Sequence, residues 1–139
     1  MYRKILVAND GSAGASRALD AAISLAKLHG AELHMVTVEE LSRFPASIDE
    51  IAEEKDEADH RFEPVMAAAR AQAEKAGIAL DTHLAAGHAA QAIVEFVRRQ
   101  GIDLLVVGFM GHSQLYERII GSTTDRLVRL APCAVLVVK

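Results

Sequence analysis

Short apolar runs alternate with longer amphipathic stretches from one end of this chain to the other. Residues 5–8 (ILVA), 32–38, 78–85, 104–107 (LLVV) and 134–138 (AVLVV) are rich in branched aliphatic residues and read as strands. The stretch 78–85 alternates enough to be half buried or at an edge. Between them the apolar positions recur every three or four residues. Ala15, Ala18, Leu19, Ala22, Ile23 and Ala26 form one helical stripe, opened by the N-cap Ser12 and stopped at His29-Gly30. Val65, Met66, Ala69 and Ala73 form a second within 62–77, where Pro64 is expected to start the helix in its first turn. Ala89, Ala90, Ile93, Val94 and Val97 form a third, with Arg98-Arg99 in its last turn and Gly101 closing it. A short helix over 123–130 ends at Ala131-Pro132. Strand and helix alternate throughout, which predicts an α/β fold: a five-stranded parallel sheet with helices on both faces.

Composition narrows this picture. With 139 residues, 51% of them hydrophobic, there is material for one core and not for two, so residues 1–139 are expected to form a single domain. A net charge of -4 without a basic stripe argues against a nucleic-acid partner. The acidity is local: 49–59 holds seven acidic residues and one lysine, so the rest of the chain is net positive. The segment at about 42–61 is expected to be a solvated helical face that could be mobile, in preference to a metal site or a docking surface for a basic partner. The lone Cys133 cannot form an internal disulfide and reads as a small core hydrophobe in a reducing compartment. The chain shows no signal-like start, and no apolar stretch approaches the roughly 18 residues of a membrane span, so a cytoplasmic protein without a membrane partner is expected. His29, His34, His60, His83, His88 and His112 show no HxxxH or HExxH spacing, which speaks against a zinc site.

The chemistry concentrates in 108–122, GFMGHSQLYERIIGS, directly after the fourth strand. Gly108 and Gly111 stand three apart, nine residues follow, and Gly121-Ser122 opens the last helix; Leu115, Ile119 and Ile120 could pack as a helical turn inside it. In open α/β sheets ligands bind at this rim, outside the carboxyl ends of the strands. Glycine permits close approach of a ligand to the main chain, and unpaired N–H groups at a helix start favour an anion. His112 could reach a phosphate. A simpler role for Ser122 is also open, since Ser122-Thr123-Thr124-Asp125 fits a capping box. Asp10, at the end of the first strand, would face the loop if the two strands are neighbours; it could instead serve the N–H groups of its own turn. There is no GxxxxGK[ST], so the lysine of rapid NTPases is missing and no catalytic residue is assigned.

The opening KILVANDGS, the stretch AELHMVTV, the Gly87 turn, DLLVVG, the G-x2-G-x9-G-S loop and the closing APCAVLVVK together resemble the universal stress protein family, in its ATP-binding branch. The resemblance implies a Rossmann-like three-layer sandwich with sheet order 3-2-1-4-5, and a homodimer joined through the last strand, Ala134–Val138. It implies ATP as ligand, accompanied by Mg or Mn, with adenine near Ala8, Asn9, Asp10 and Val38. Gly108, Met110, Gly111, His112 and Gln114 would line the ribose and phosphates, and Gly121, Ser122 and Thr123 the phosphate end. Asp10 would help hold the metal through the phosphates. Phe109, Met110 and the pair Ala8-Asn9 depart from the common family pattern. The implied function is a nucleotide-occupied regulatory or stress-response dimer; the alternatives are a slow ATPase or autophosphorylating enzyme, and a nucleotide-independent interaction protein.

Overall fold

A computed structural model describes residues 1–40, 48–110 and 120–139. Among the described residues, five strands and four helices follow one another as β1 (Lys4–Ala8), α1 (Ala13–His29), β2 (Glu32–Glu39), α2 (Ile48–Lys75), β3 (Leu80–Ala86), α3 (Ala89–Gln100), β4 (Leu104–Gly108), α4 (Ser122–Leu130) and β5 (Ala134–Val138). The sheet is parallel throughout, in the order β3-β2-β1-β4-β5. Each strand needs a crossover to reach its neighbour in the same direction, and the helices supply it.

Strand alternation divides the core in two. Ile5, Val7, Leu33, Met35, Leu104 and Val106 point to the face covered by α1 and α2, where they meet Leu19, Ala22, Ile23, Met66, Ala69 and Ala73. Leu6, Val36, Leu105 and Val107 point to the opposite face and pack on Ile93, Val94, Val97 and Leu127 of α3 and α4. All six stripe residues expected on α1 are buried, and Phe96 joins the expected α3 stripe. A side chain such as Leu6 or Leu105, fully removed from water, contributes about 1.5–3 kcal/mol by burial. Cys133 is half-buried against the α3/α4 side, and desolvation raises its thiol pKa. That suits packing more than reactivity.

The structure corrects the placement of the second helix. It does not start at Pro64 but runs unbroken from Ile48 to Lys75 with Pro64 inside. Pro64 is exposed, so the carbonyl deprived of its N–H partner lies on the solvent side, where water can satisfy it. The described acidic residues upstream of it, Asp49, Glu50, Glu53, Asp56 and Glu57, are exposed, as a solvated face requires. Among the described residues no helix is long and apolar enough to cross a membrane.

Candidate functional site

At the carboxyl end of β1 the chain makes two successive side-chain turns. Asn9 Oδ1 accepts the Gly11 N–H at 2.9 Å, and Asp10 Oδ1 accepts the Ser12 N–H at 2.9 Å. Gly11 has φ +84, a conformation that only glycine adopts without strain. Ser12 Oγ then accepts from Ala15 N–H and caps α1, as its position in the sequence predicts. Asn9 is buried, and its amide nitrogen donates to Met35 Sδ at 3.4 Å. Its side chain is thus engaged at both ends by the fold itself.

The end of β4 is seated directly on the start of α1. A Cβ on Gly14 would come within 2.6 Å of the Met110 carbonyl oxygen, and one on Gly108 within 2.9 Å of the Gly14 carbonyl carbon. Two glycines in contact therefore let strand and helix backbones approach. From here the Phe109 N–H donates to Val138 O, and the Phe109 carbonyl accepts the Gly121 N–H, both at 2.9 Å. Phe109 turns its ring toward Lys139, whose ammonium lies 5.4 Å from the ring centre. It does not line the cavity described next, whereas Met110 does.

Gly121, not Ser122, is the N-cap of α4, and among the described residues no side chain caps the helix. The capping-box reading of Ser122 is thereby overturned, because the helix begins one residue earlier than that box requires. The Gly121 N–H is spent on Phe109, so the anion-attracting N–H groups of α4 are those that follow it in the first turn.

These pieces border one open cavity of about 920 Å³ over the carboxyl ends of the strands. Ala8, Asn9, Asp10, Val38, Gly108, Met110, Gly121, Ser122 and Thr123, nine of the twelve site residues expected from the sequence, line it. The other three, Gly111, His112 and Gln114, lie outside the described residues, as do Leu115 and Ile119. Its size is that of a small-molecule site. Apolar surface comes from Ala8, Val38, Ile93 and Leu127; polar groups gather at Asp10, Ser12 and the α4 start.

One wall was not foreseen. Glu39 at the end of β2 and Arg61, Phe62 and Val65 of α2 line the cavity too. Arg61 pairs with Glu39 and lies 4.9 Å from the Phe62 ring centre, tying α2 to β2 across the cavity edge. The signal available was periodicity, since Phe62, Val65, Met66, Ala69 and Ala73 keep helical spacing straight across Pro64. No group of three or more His, Cys, Asp or Glu among the described residues could hold a metal ion.

The universal stress protein family model matches residues 1–139 in full. The chain belongs to this family. Universal stress protein YxiE of Bacillus subtilis is 33% identical to it over 100% of both chains. Among solved structures, universal stress protein UspA from Lactobacillus plantarum is 28% identical with a TM-score of 0.88, covering 99% of this chain and 98% of its own. A further universal stress protein, solved in complex with cAMP, is 27% identical with a TM-score of 0.78 and covers 99% of this chain and 97% of its own. These likenesses agree with the parallel 3-2-1-4-5 sheet observed here.

Proposed function

We propose that this universal stress protein binds ATP at the carboxyl rim of its sheet and acts as a nucleotide-occupied regulatory dimer. The observation that carries the reading is convergence: residues 8–10, 38, 108, 110 and 121–123, far apart in the chain, line one cavity that ends at a helix start whose N-cap, Gly121, offers no side chain. Adenine fits the apolar side at Ala8 and Val38, and the phosphates fit the α4 end at Ser122 and Thr123, where N–H groups and the helix dipole favour negative charge. A relative 27% identical to this chain was solved with a cyclic nucleotide, which supports the ligand class. Mg or Mn would be held mainly by the phosphates, with Asp10 as the protein carboxylate nearest the α1 start.

The dimer reading rests on the outer strand. β5 ends the sheet, and Leu136 on it is 38% exposed, with Val128 and Leu130 of α4 at 49% and 57%. An apolar sheet edge of this kind is suited to pairing with a second copy.

Binding is favoured over turnover because the one arginine among the described lining residues is already paired with Glu39, and no residue stands assigned to activate water. A slow phosphoryl transfer is the second reading, favoured by one observation: the exposed Ser122 hydroxyl at the cavity is not used as a helix cap. Denaturing freshly purified protein and weighing the released small molecules tests the first reading. Near-stoichiometric adenine nucleotide is expected. Protein that carries none and takes up none with added magnesium overturns it and leaves the nucleotide-independent interaction protein in its place. A phosphate-mass adduct on Ser122 or Thr123 after incubation with ATP would move the assignment to the second reading.

A further inference from the structure

Thr124 is a polar residue that neither its position after the Gly-Ser pair nor the motif singles out. It is 7% exposed, and its hydroxyl donates to the Gly108 carbonyl at 2.7 Å. That bond runs beside the one from the Gly121 N–H to the Phe109 carbonyl. Two adjacent carbonyls at the end of β4 are therefore held by two groups of the first turn of α4, the N-cap Gly121 and Thr124. On the other side the same backbone rests on Gly14, where a Cβ would meet the Met110 carbonyl oxygen at 2.6 Å. The end of β4 is gripped between α4 and α1.

We propose that Thr124 and Gly14 are positioning residues: they set where the first turn of α4 stands relative to β4, and thereby where its free N–H groups point into the cavity. The inference rests on the nucleotide reading of this rim and adds residues to it. Thr124 borders the cavity, but its hydroxyl proton is committed to the Gly108 carbonyl, so the hydroxyl acts on the ligand through the backbone it holds. Its loss leaves the partly buried Gly108 carbonyl without that donor, and removes one of the two bonds that hold the α4 start to the end of β4. The adenine side, built by Ala8 and Val38, does not depend on this bond. A specific split follows: the phosphate part of binding should suffer while the base part does not.

Thr124→Val keeps the shape and removes the hydroxyl, and Thr124→Ser restores it. Affinity for ATP is expected to fall about tenfold in Thr124→Val, the cost of one partly buried hydrogen bond, while affinity for adenosine stays within about twofold and Thr124→Ser returns to wild type. Exchange of the Gly121 amide hydrogen, followed by NMR without ligand, should accelerate in Thr124→Val while the amides of β1 keep their protection. Wild-type ATP affinity together with unchanged Gly121 exchange overturns the proposal. If wild-type protein binds neither ATP nor adenosine, the nucleotide reading fails by itself, and Gly121 exchange still decides whether Thr124 holds the α4 start. If Thr124→Val does not fold, Gly14→Ala presses on the Met110 carbonyl from the opposite side. The same ATP-over-adenosine loss is then expected, and equal losses for both ligands overturn the proposal.

Discussion

The two ends of this sheet are built from similar residues and do opposite things with them. At the amino end the Asp103 carboxylate accepts the N–H groups of Arg3 and Lys4 at 2.9 and 3.1 Å, while the Asp103 N–H donates to Lys4 O and the Glu32 N–H to Arg3 O. Lys4 Nζ reaches back to Gln100 O. Backbone and side chain there answer one another, and the end is closed. At the carboxyl end Asp10 likewise accepts from its own turn, but around it the backbone of Gly11, Gly108 and Gly121 borders a cavity, and among the described residues no side chain caps the first turn of α4. An aspartate at a strand end is therefore not diagnostic. What separates a structural end from a binding end is whether the neighbouring helix start finds its partners inside the chain.

Filling the open end should have the largest effect. Gly121→Val retains the N–H that bonds Phe109, and Gly121 sits at φ -61, ψ 148, which valine tolerates. The fold should survive while the new side chain occupies space beside the α4 start. A loss of about a hundredfold in ATP affinity, near 2.7 kcal/mol, is expected, with the melting temperature nearly unchanged. Titration calorimetry beside a thermal melt reads both, and wild-type affinity would move the phosphates away from Gly121.

Asp103→Ala should do the reverse. It strips two charge-assisted bonds from the start of β1 and is expected to cost about 2 kcal/mol of stability, lowering the melting temperature by roughly 4–8 °C. ATP affinity should stay within about twofold once the protein is folded. A variant that loses affinity while keeping its stability would mean that the amino end is not the closed structural end described here.

Much of the fold was legible because local pattern and tertiary packing agree. The α1 stripe is buried residue for residue, and β5 falls at Ala134–Val138 as its apolar run predicts. The disagreements arise where a local signal met a stronger distant one. Proline marks a helix start by default, yet Met66, Ala69 and Ala73 anchor α2 from below, and its exposed Pro64 costs little there. At the rim, residues with a motif signature were findable, and nine of them do line the cavity. Gly14, Thr124 and the Glu39–Arg61 pair were not, because each acts through a partner on another element of the chain or through the absence of a side chain. Nothing in the local spelling of A-G-A or S-T-T announces such a contact.

The closed polar network at the amino half extends to a pair of histidines, and this makes it the half that should respond to acid. His34 is buried; its Nε2 lies 3.3 Å from Glu32 Oε2 and its Nδ1 3.2 Å from His83 Nε2, with Asp81 Oδ2 at 3.8 Å. The carboxylate draws the His34 proton to Nε2, so in the neutral pair Nδ1 accepts from His83. From α3, Phe96 packs on the His83 ring at 4.7 Å, and Arg99 adds positive charge. Burial first, then His34 and Arg99, lower the His83 pKa below its ordinary 6.5, while Asp81 pulls the other way. A histidine harder to protonate in the folded state than in the unfolded one contributes stability that is complete above 6.5 and is lost as pH falls from there through its folded pKa. The melting temperature of wild type should therefore drop between neutral pH and pH 5 more steeply than that of His83→Gln, and the difference between the two curves should become constant above pH 7. Parallel curves would mean that the histidine pair carries no proton-linked stability, and that the amino half is as indifferent to acid as a purely apolar core.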